Sequence, residues 1–226
     1  MSDVDHLPLL RLMQLVSPAL PVGAYAYSQG LETAVSRGWV NTEEETKLWI
    51  SGLLRHNLAL VDLPVLFRLY AAFSRADDAA VCHWSGFLAA CRETRELRQE
   101  DQHLGQALAR LLTDLGIESA HRWRRAATAS FAVSFALAAT MWRIPARAAA
   151  SGYAFAWLEN QVASAVKLVP LGQTAGQRIL SAVQQDIPAL IAEAQRFDDD
   201  EIGFSAPAFA VGSAWHETEY TRLFQS

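Results

Sequence analysis

The sequence predicts an all-α protein, a single helical bundle of about nine or ten helices. Three observations carry that expectation. Apolar residues recur at helical spacing through most of the 226 positions. No segment alternates convincingly at period two, and no Asn-Gly or Asp-Gly hairpin signal appears. The chain is 51% hydrophobic and 19% charged, a globular balance, and is long enough to bury about 70% of its unfolded surface.

The elements follow in order. Leu7, Leu10 and Leu15 mark a short helix that stops before Pro18, and Pro18 to Gly23 is a punctuated loop. A second helix is expected from Ser28 to Arg37, closed by Gly38. Thr42 and Glu45 form a capping-box pattern ahead of Leu48, Trp49, Leu53 and Leu54. Asp62 can cap the next helix, with Pro64 in its first turn, and Asp77 or Asp78 the one after. From Glu93 to Leu115, the residues Leu97, Leu104, Leu108, Leu111 and Leu115 fall on one face. Two Ala-rich helices are expected at 121–143 and 146–167, close together in the centre of the fold. A last long helix spans 174–196 with a kink at Pro188. Residues 1–197 form the bundle. Residues 198–226 read as a surface segment and docking tail of the same domain, with a short helix near the end.

Composition excludes several function classes. A net charge of −5 leaves no basic surplus for phosphates, so nucleic acid is not the expected partner. Cys82 and Cys91 fit neither a zinc motif nor a disulfide framework, and free thiols suit the cytoplasm. MSDVDHLPLL does not have the pattern of a signal peptide. Ala126 to Trp142 is uncharged, but its hydroxyls, alanines and length suit a buried core helix better than a membrane span.

Catalytic motifs are scarce, and no enzymatic activity is expected. GQTAGQRIL at 172–180 lacks the Lys-Ser/Thr of a phosphate loop, and no G-x-S-x-G elbow occurs. His216-Glu217 opens like a zincin motif, but the second His position is Tyr220. Asp198 to Glu201 lacks the alternating oxygen ligands of a calcium loop. The competing expectation is a metal-dependent hydrolase using Cys82, His83 and Cys91, or Glu217.

Three stretches exceed what a plain bundle needs. PVGAYAYSQGLE (21–32) sets tyrosines, glycines and a Ser-Gln pair around a helix start. KLVPLGQTAGQ (167–177) is a polar, Gly-broken connection. HETEYTRLFQS (216–226) places His216, Tyr220, Leu223 and Phe224 on one helical face. That face either folds back on its own core or docks on a partner, and the pattern alone leaves both open.

With RETRELR (92–98), these stretches resemble the urease accessory protein UreF family, in order and spacing, over essentially the whole chain. Gln225 stands where the family more often has Arg, and Trp215 where a smaller or basic residue is common. The resemblance implies an all-helical homodimer that binds UreD (also called UreH), recruits the GTPase UreG and docks on apo-urease. Nickel then reaches an active site built around a carbamylated lysine. It implies no directly bound cofactor, nickel and GTP being handled by the wider complex, and no membrane partner. By the same resemblance His216, Glu217, Tyr220, Arg222, Leu223 and Phe224 form the UreD-binding tail, Arg222 being its polar anchor. Tyr25, Ser28, Gln29, Gly30, Glu32, Lys167, Pro170, Gly172 and Gln173 form the surface offered to UreG or urease. Without that role, Lys167 is a snorkelling lysine at a helix end.

Overall fold

The computed structural model describes residues 6–203, 207–217 and 222–226. The fold is all-α, and no strand occurs among the described residues. The α-helices are α1 (Leu7–Leu15), α2 (Leu31–Ser36), α3 (Glu43–Leu53), α4 (Leu63–Ser74), α5 (Asp78–Ala90), α6 (Arg95–Asp114), α7 (Phe131–Met141), α8 (Ala146–Leu168), α9 (Gln173–Val183), α10 (Ile187–Ala194) and α11 (Pro207–His216).

Local chemistry sets many of the ends. Thr42 and Glu45 close a full capping box on α3. Asp77 caps α5 through the Ala80 N–H at 3.0 Å, and Thr94 caps α6 through the Leu97 N–H at 3.2 Å. Gly38 and Gly116 follow helix ends with positive φ.

The centre is α7, whose residues from Ala132 to Ala139 are all buried, packed between α4, α6 and α8. Small residues permit the close approach: a Cβ on Gly105 would lie 2.7 Å from the Cα of Ser130. Phe131, Phe135 and Tyr153 stack where α7 meets α8, with ring centroids 5.4 to 5.7 Å apart. The rod from Glu43 to Ser74 is long and apolar enough to cross a membrane by length and composition, but most of its apolar stretch lies in the core.

Several expected elements differ. The helix expected at 28–37 begins only at Leu31, because Gln29 and Gly30 are left-handed, with φ of 52° and 76°. Asp62 caps nothing. Its carboxylate is taken by Arg92 and Tyr153, and the chain runs from α3 to α4 through a π-helical segment, Leu54–Asp62. Residues 121–130 do not join the helix expected at 121–143: residues 118–124 form a 3₁₀ segment. The Ser130 hydroxyl takes the Val133 N–H and Asp101 takes the Phe131 N–H, which starts α7 ten residues late. The last long helix is interrupted by a 3₁₀ turn at Gln184–Asp186, just before Pro188. Leu115 is exposed, and Leu112 takes its place in the core face of α6.

Candidate partner-binding site

The site forms where the 21–32 stretch, the start of α6 and the chain's last residues meet. Gly23 is left-handed and opens a short 3₁₀ turn, after which Tyr27 is extended. Gln29, a non-glycine residue at positive φ, carries a conformational cost. What it gains is a fixed side chain. Its amide donates to Glu100 Oε1 at 2.6 Å and accepts from Trp157 Nε1 at 2.7 Å. Asn160 on α8 holds the Tyr27 carbonyl at 3.1 Å.

The tail is seated on this turn. Both oxygens of Glu32 accept backbone N–H groups, from Leu223 at 2.6 Å and Phe224 at 2.9 Å. The Gln225 N–H donates to the Ala26 carbonyl at 2.8 Å. The Ser226 carbonyl accepts from the Ser28 N–H at 3.0 Å and the Ser28 hydroxyl at 2.7 Å. The Ser226 hydroxyl in turn donates to Glu100 Oε2 at 2.6 Å. Backbone donors meeting a carboxylate make strong, directional anchors.

His216 fixes the other end. It is 0% exposed, with Nδ1 at 2.7 Å from Glu96 and Nε2 at 3.3 Å from Glu32. Arg222 Nη1 donates to Glu96, and its Nη2 to the Glu217 carbonyl at 3.1 Å. Glu217 accepts the Glu96 N–H at 3.1 Å, an acid placed at the positive end of α6. Ser213 on α11 pairs with Thr94 at 2.8 Å. Trp215 packs against Trp39 in a tilted pair with centroids 5.6 Å apart, and the Arg37 guanidinium lies 4.7 Å from its ring.

Beneath the seat lies a buried ion cluster. Arg92 donates to Asp62 at 3.0 and 2.6 Å and to Asp101 at 2.9 Å. Tyr153 donates to Asp62 at 3.1 Å. Burial alone would lower the Arg92 pKa, but Asp101 and Asp62 outweigh it and push it up. Burial pushes the Asp101 carboxyl up, and Arg92 and the Phe131 N–H only partly offset this. Among the described residues Glu100 forms no ion pair. Burial raises its pKa to about 7, against the lowering effect of its bonds from Ser226 and Gln29. A cavity of about 90 Å³ separates Gln29 and Trp157 from the ion cluster.

Part of each set of expected site residues therefore meets in one place. Ser28, Glu32, His216, Glu217, Arg222, Leu223 and Phe224 are joined by the bonds above. Phe224 is 5% exposed and Leu223 is 68% exposed, so the tail buries one side chain and presents the next. Lys167 reaches the cluster through the Phe224 ring, 5.6 Å from Nζ to centroid. Gly30 is buried and Tyr25 is exposed. Pro170, Gly172 and Gln173 are exposed on the α8–α9 connection, and among the described residues no hydrogen bond ties them to the tail. Tyr220 lies outside the described residues. His216 and Ser28 are fully buried, so a partner touches them only if the packing around them opens. Sequence reasoning missed Asp62, Glu96, Glu100, Asp101 and Trp157. The one available signal was the density of both charge signs in RETRELRQE.

Among the described residues no group of three or more His, Cys, Asp or Glu side chains could hold a metal ion. Cys82 is exposed and Cys91 half-buried.

Residues 40–184 match the UreF family model. The urease accessory protein UreF of Alkalilimnicola ehrlichii is 50% identical over 216 residues, covering 96% of this chain and 95% of that one. UreF 2 of Brucella anthropi is 46% identical over 220 residues, 97% of each chain. UreF of Hahella chejuensis is 46% identical over 220 residues, 97% of this chain and 99% of its own.

Proposed function

The chain belongs to the UreF family of urease accessory proteins, and from that premise we propose that it is a non-catalytic nickel-insertion chaperone of the cytoplasm. In this reading it forms a homodimer, binds UreD (UreH), recruits the GTPase UreG and docks with them on apo-urease. UreG brings the phosphate loop and the GTP. Nickel is cargo of the assembly, and this chain holds no cofactor of its own while modulating the GTPase cycle.

The observation that carries the reading is the seated tail. Its bonds to Glu32, Ser28, Glu96 and Glu100 make one continuous surface from the 21–32 turn and the chain's end. Leu223 stands out from that surface as a large exposed apolar side chain on an anchored backbone, apolar area that a partner would remove from water. UreD engages this tail surface, and Lys167 lies at its edge, positioned for UreG or urease.

Co-expression with UreD, UreG and apo-urease tests it. The intact chain should co-purify with UreD and support urease activation. Removing residues 216–226 should abolish both. Because that deletion also strips the cover from Glu32 and Glu100, Leu223→Glu is the cleaner probe. It should lose UreD while leaving the melting temperature unchanged, since the side chain is exposed. UreD binding and full activation by the truncated protein would sink the docking role of the tail.

A further inference from the structure

In RETRELR, Arg92 clamps two buried carboxylates, Thr94 caps α6, Glu96 holds the tail and Leu97 enters the core. Arg98 donates only to the Arg92 carbonyl, and among the described residues Arg95 makes no hydrogen bond or ion pair. Both are exposed, and both line a separate open cleft of about 240 Å³ between the first turns of α6 and the entrance to α7. Successive helical residues lie about 100° apart, so this face of α6 is roughly a third of a turn round from the face of Glu96 and Glu100 that receives the tail.

The cleft is built for negative charge. Arg98 donates to the Arg92 carbonyl at 3.0 Å, which fixes the direction of its guanidinium and leaves other N–H groups available. Gln99 and Gln102 add carboxamide donors to the same lining, which Ser130, Arg92 and three alanines, Ala89, Ala127 and Ala129, also share. The lining has one carboxylate, Asp101, and that is already bonded to Arg92 and the Phe131 N–H. Arg124 and Arg125 lie just before Ala127, a wall residue. This is a local positive field on a chain of net charge −5.

We propose that the Arg95–Arg98 cleft is a second docking site, which takes acidic side chains from a protein partner in the urease-maturation assembly. Small-molecule sites are mostly apolar and typically larger, about 300 to 1,000 Å³. This cleft is polar and open, and each guanidinium can meet a carboxylate in forked, two-bond geometry. The inference rests on the UreF reading for the identity of the partners, but the chemistry of the cleft stands without it.

The test uses the full chain in two arms. In the first, a labelled oligoglutamate peptide is titrated by fluorescence polarisation. The intact protein should bind it, weakening steeply as salt rises from about 50 to about 300 mM. The Arg95→Glu/Arg98→Glu variant should lose roughly tenfold or more in affinity with an unchanged melting temperature. Equal binding by both proteins overturns the cleft. In the second arm the same variant is co-expressed with UreD, UreG and apo-urease, and loss of one component from the assembly is expected. If the intact chain binds the peptide but assembles with none of these partners, the UreF-based reading fails while the cleft survives. If the variant assembles as fully as the intact chain, the proposed occupant is wrong.

Discussion

Glu100 carries an unusual share of the site. It is buried among uncharged donors, Gln29 and the Ser226 hydroxyl, and burial raises its pKa from 4.5 to about 7. A carboxyl whose folded pKa is raised favours the folded state most when protonated. Its contribution is fully present below about pH 4.5, declines as pH rises, and is gone above about pH 7. That contribution is at most about 3 kcal/mol. Glu100→Gln keeps a neutral side chain in place, so its stability should be flatter than the parent's between those limits. Parallel denaturant melts across pH read the difference in slope. Arg92 works in the opposite sense, as a charge that must stay. Arg92→Ala would leave Asp62 and Asp101 buried without their counter-ion. The expected loss is about 3–5 kcal/mol by denaturant unfolding.

At the scale of elements, the crossing of α6 and α7 depends on Gly105. Any Cβ there collides with the Ser130 backbone, which cannot swing away as a flexible side chain can. Gly105→Ala should cost about 1–3 kcal/mol in thermal unfolding despite the better helix propensity of Ala. The helix ends that were legible in the sequence are those whose chemistry is local. Thr42 and Glu45 are three residues apart, Asp77 caps its own turn, and Gly38 and Gly116 sit where left-handed backbone is needed. The misread ends are those set from a distance. Asp62 looked like a cap because its partners, Arg92 and Tyr153, lie far along the chain. Residues 121–130 had helical composition, but buried Asp101 claims the Phe131 N–H and fixes where α7 begins. Glu100 received no role from the sequence because the hydroxyl that bonds it belongs to Ser226, far along the chain.

At the scale of the whole molecule, the end of the chain is part of the fold. The apolar periodicity of 216–224 offered two outcomes, a tail folded home or a tail held by a partner. In the structure the described ends of that stretch are folded home, His216 and Phe224 buried, while Leu223 is exposed and so leaves the face it was expected to share with them. That arrangement unites motifs separated by nearly the full length of the chain, which no local pattern could announce. In the proposed docking role the seat would also lower the cost of binding, since an anchored backbone loses less entropy on binding than a free tail. Hydrogen exchange on the isolated protein is the most direct test. The Leu223, Phe224 and Gln225 amides donate to Glu32 and Ala26. They should exchange slowly, and Glu32→Gln should weaken the protection of the first two. Exchange of those amides at unprotected rates while the core amides of α7 stay protected would show a free tail and contradict the seat on which the site is built.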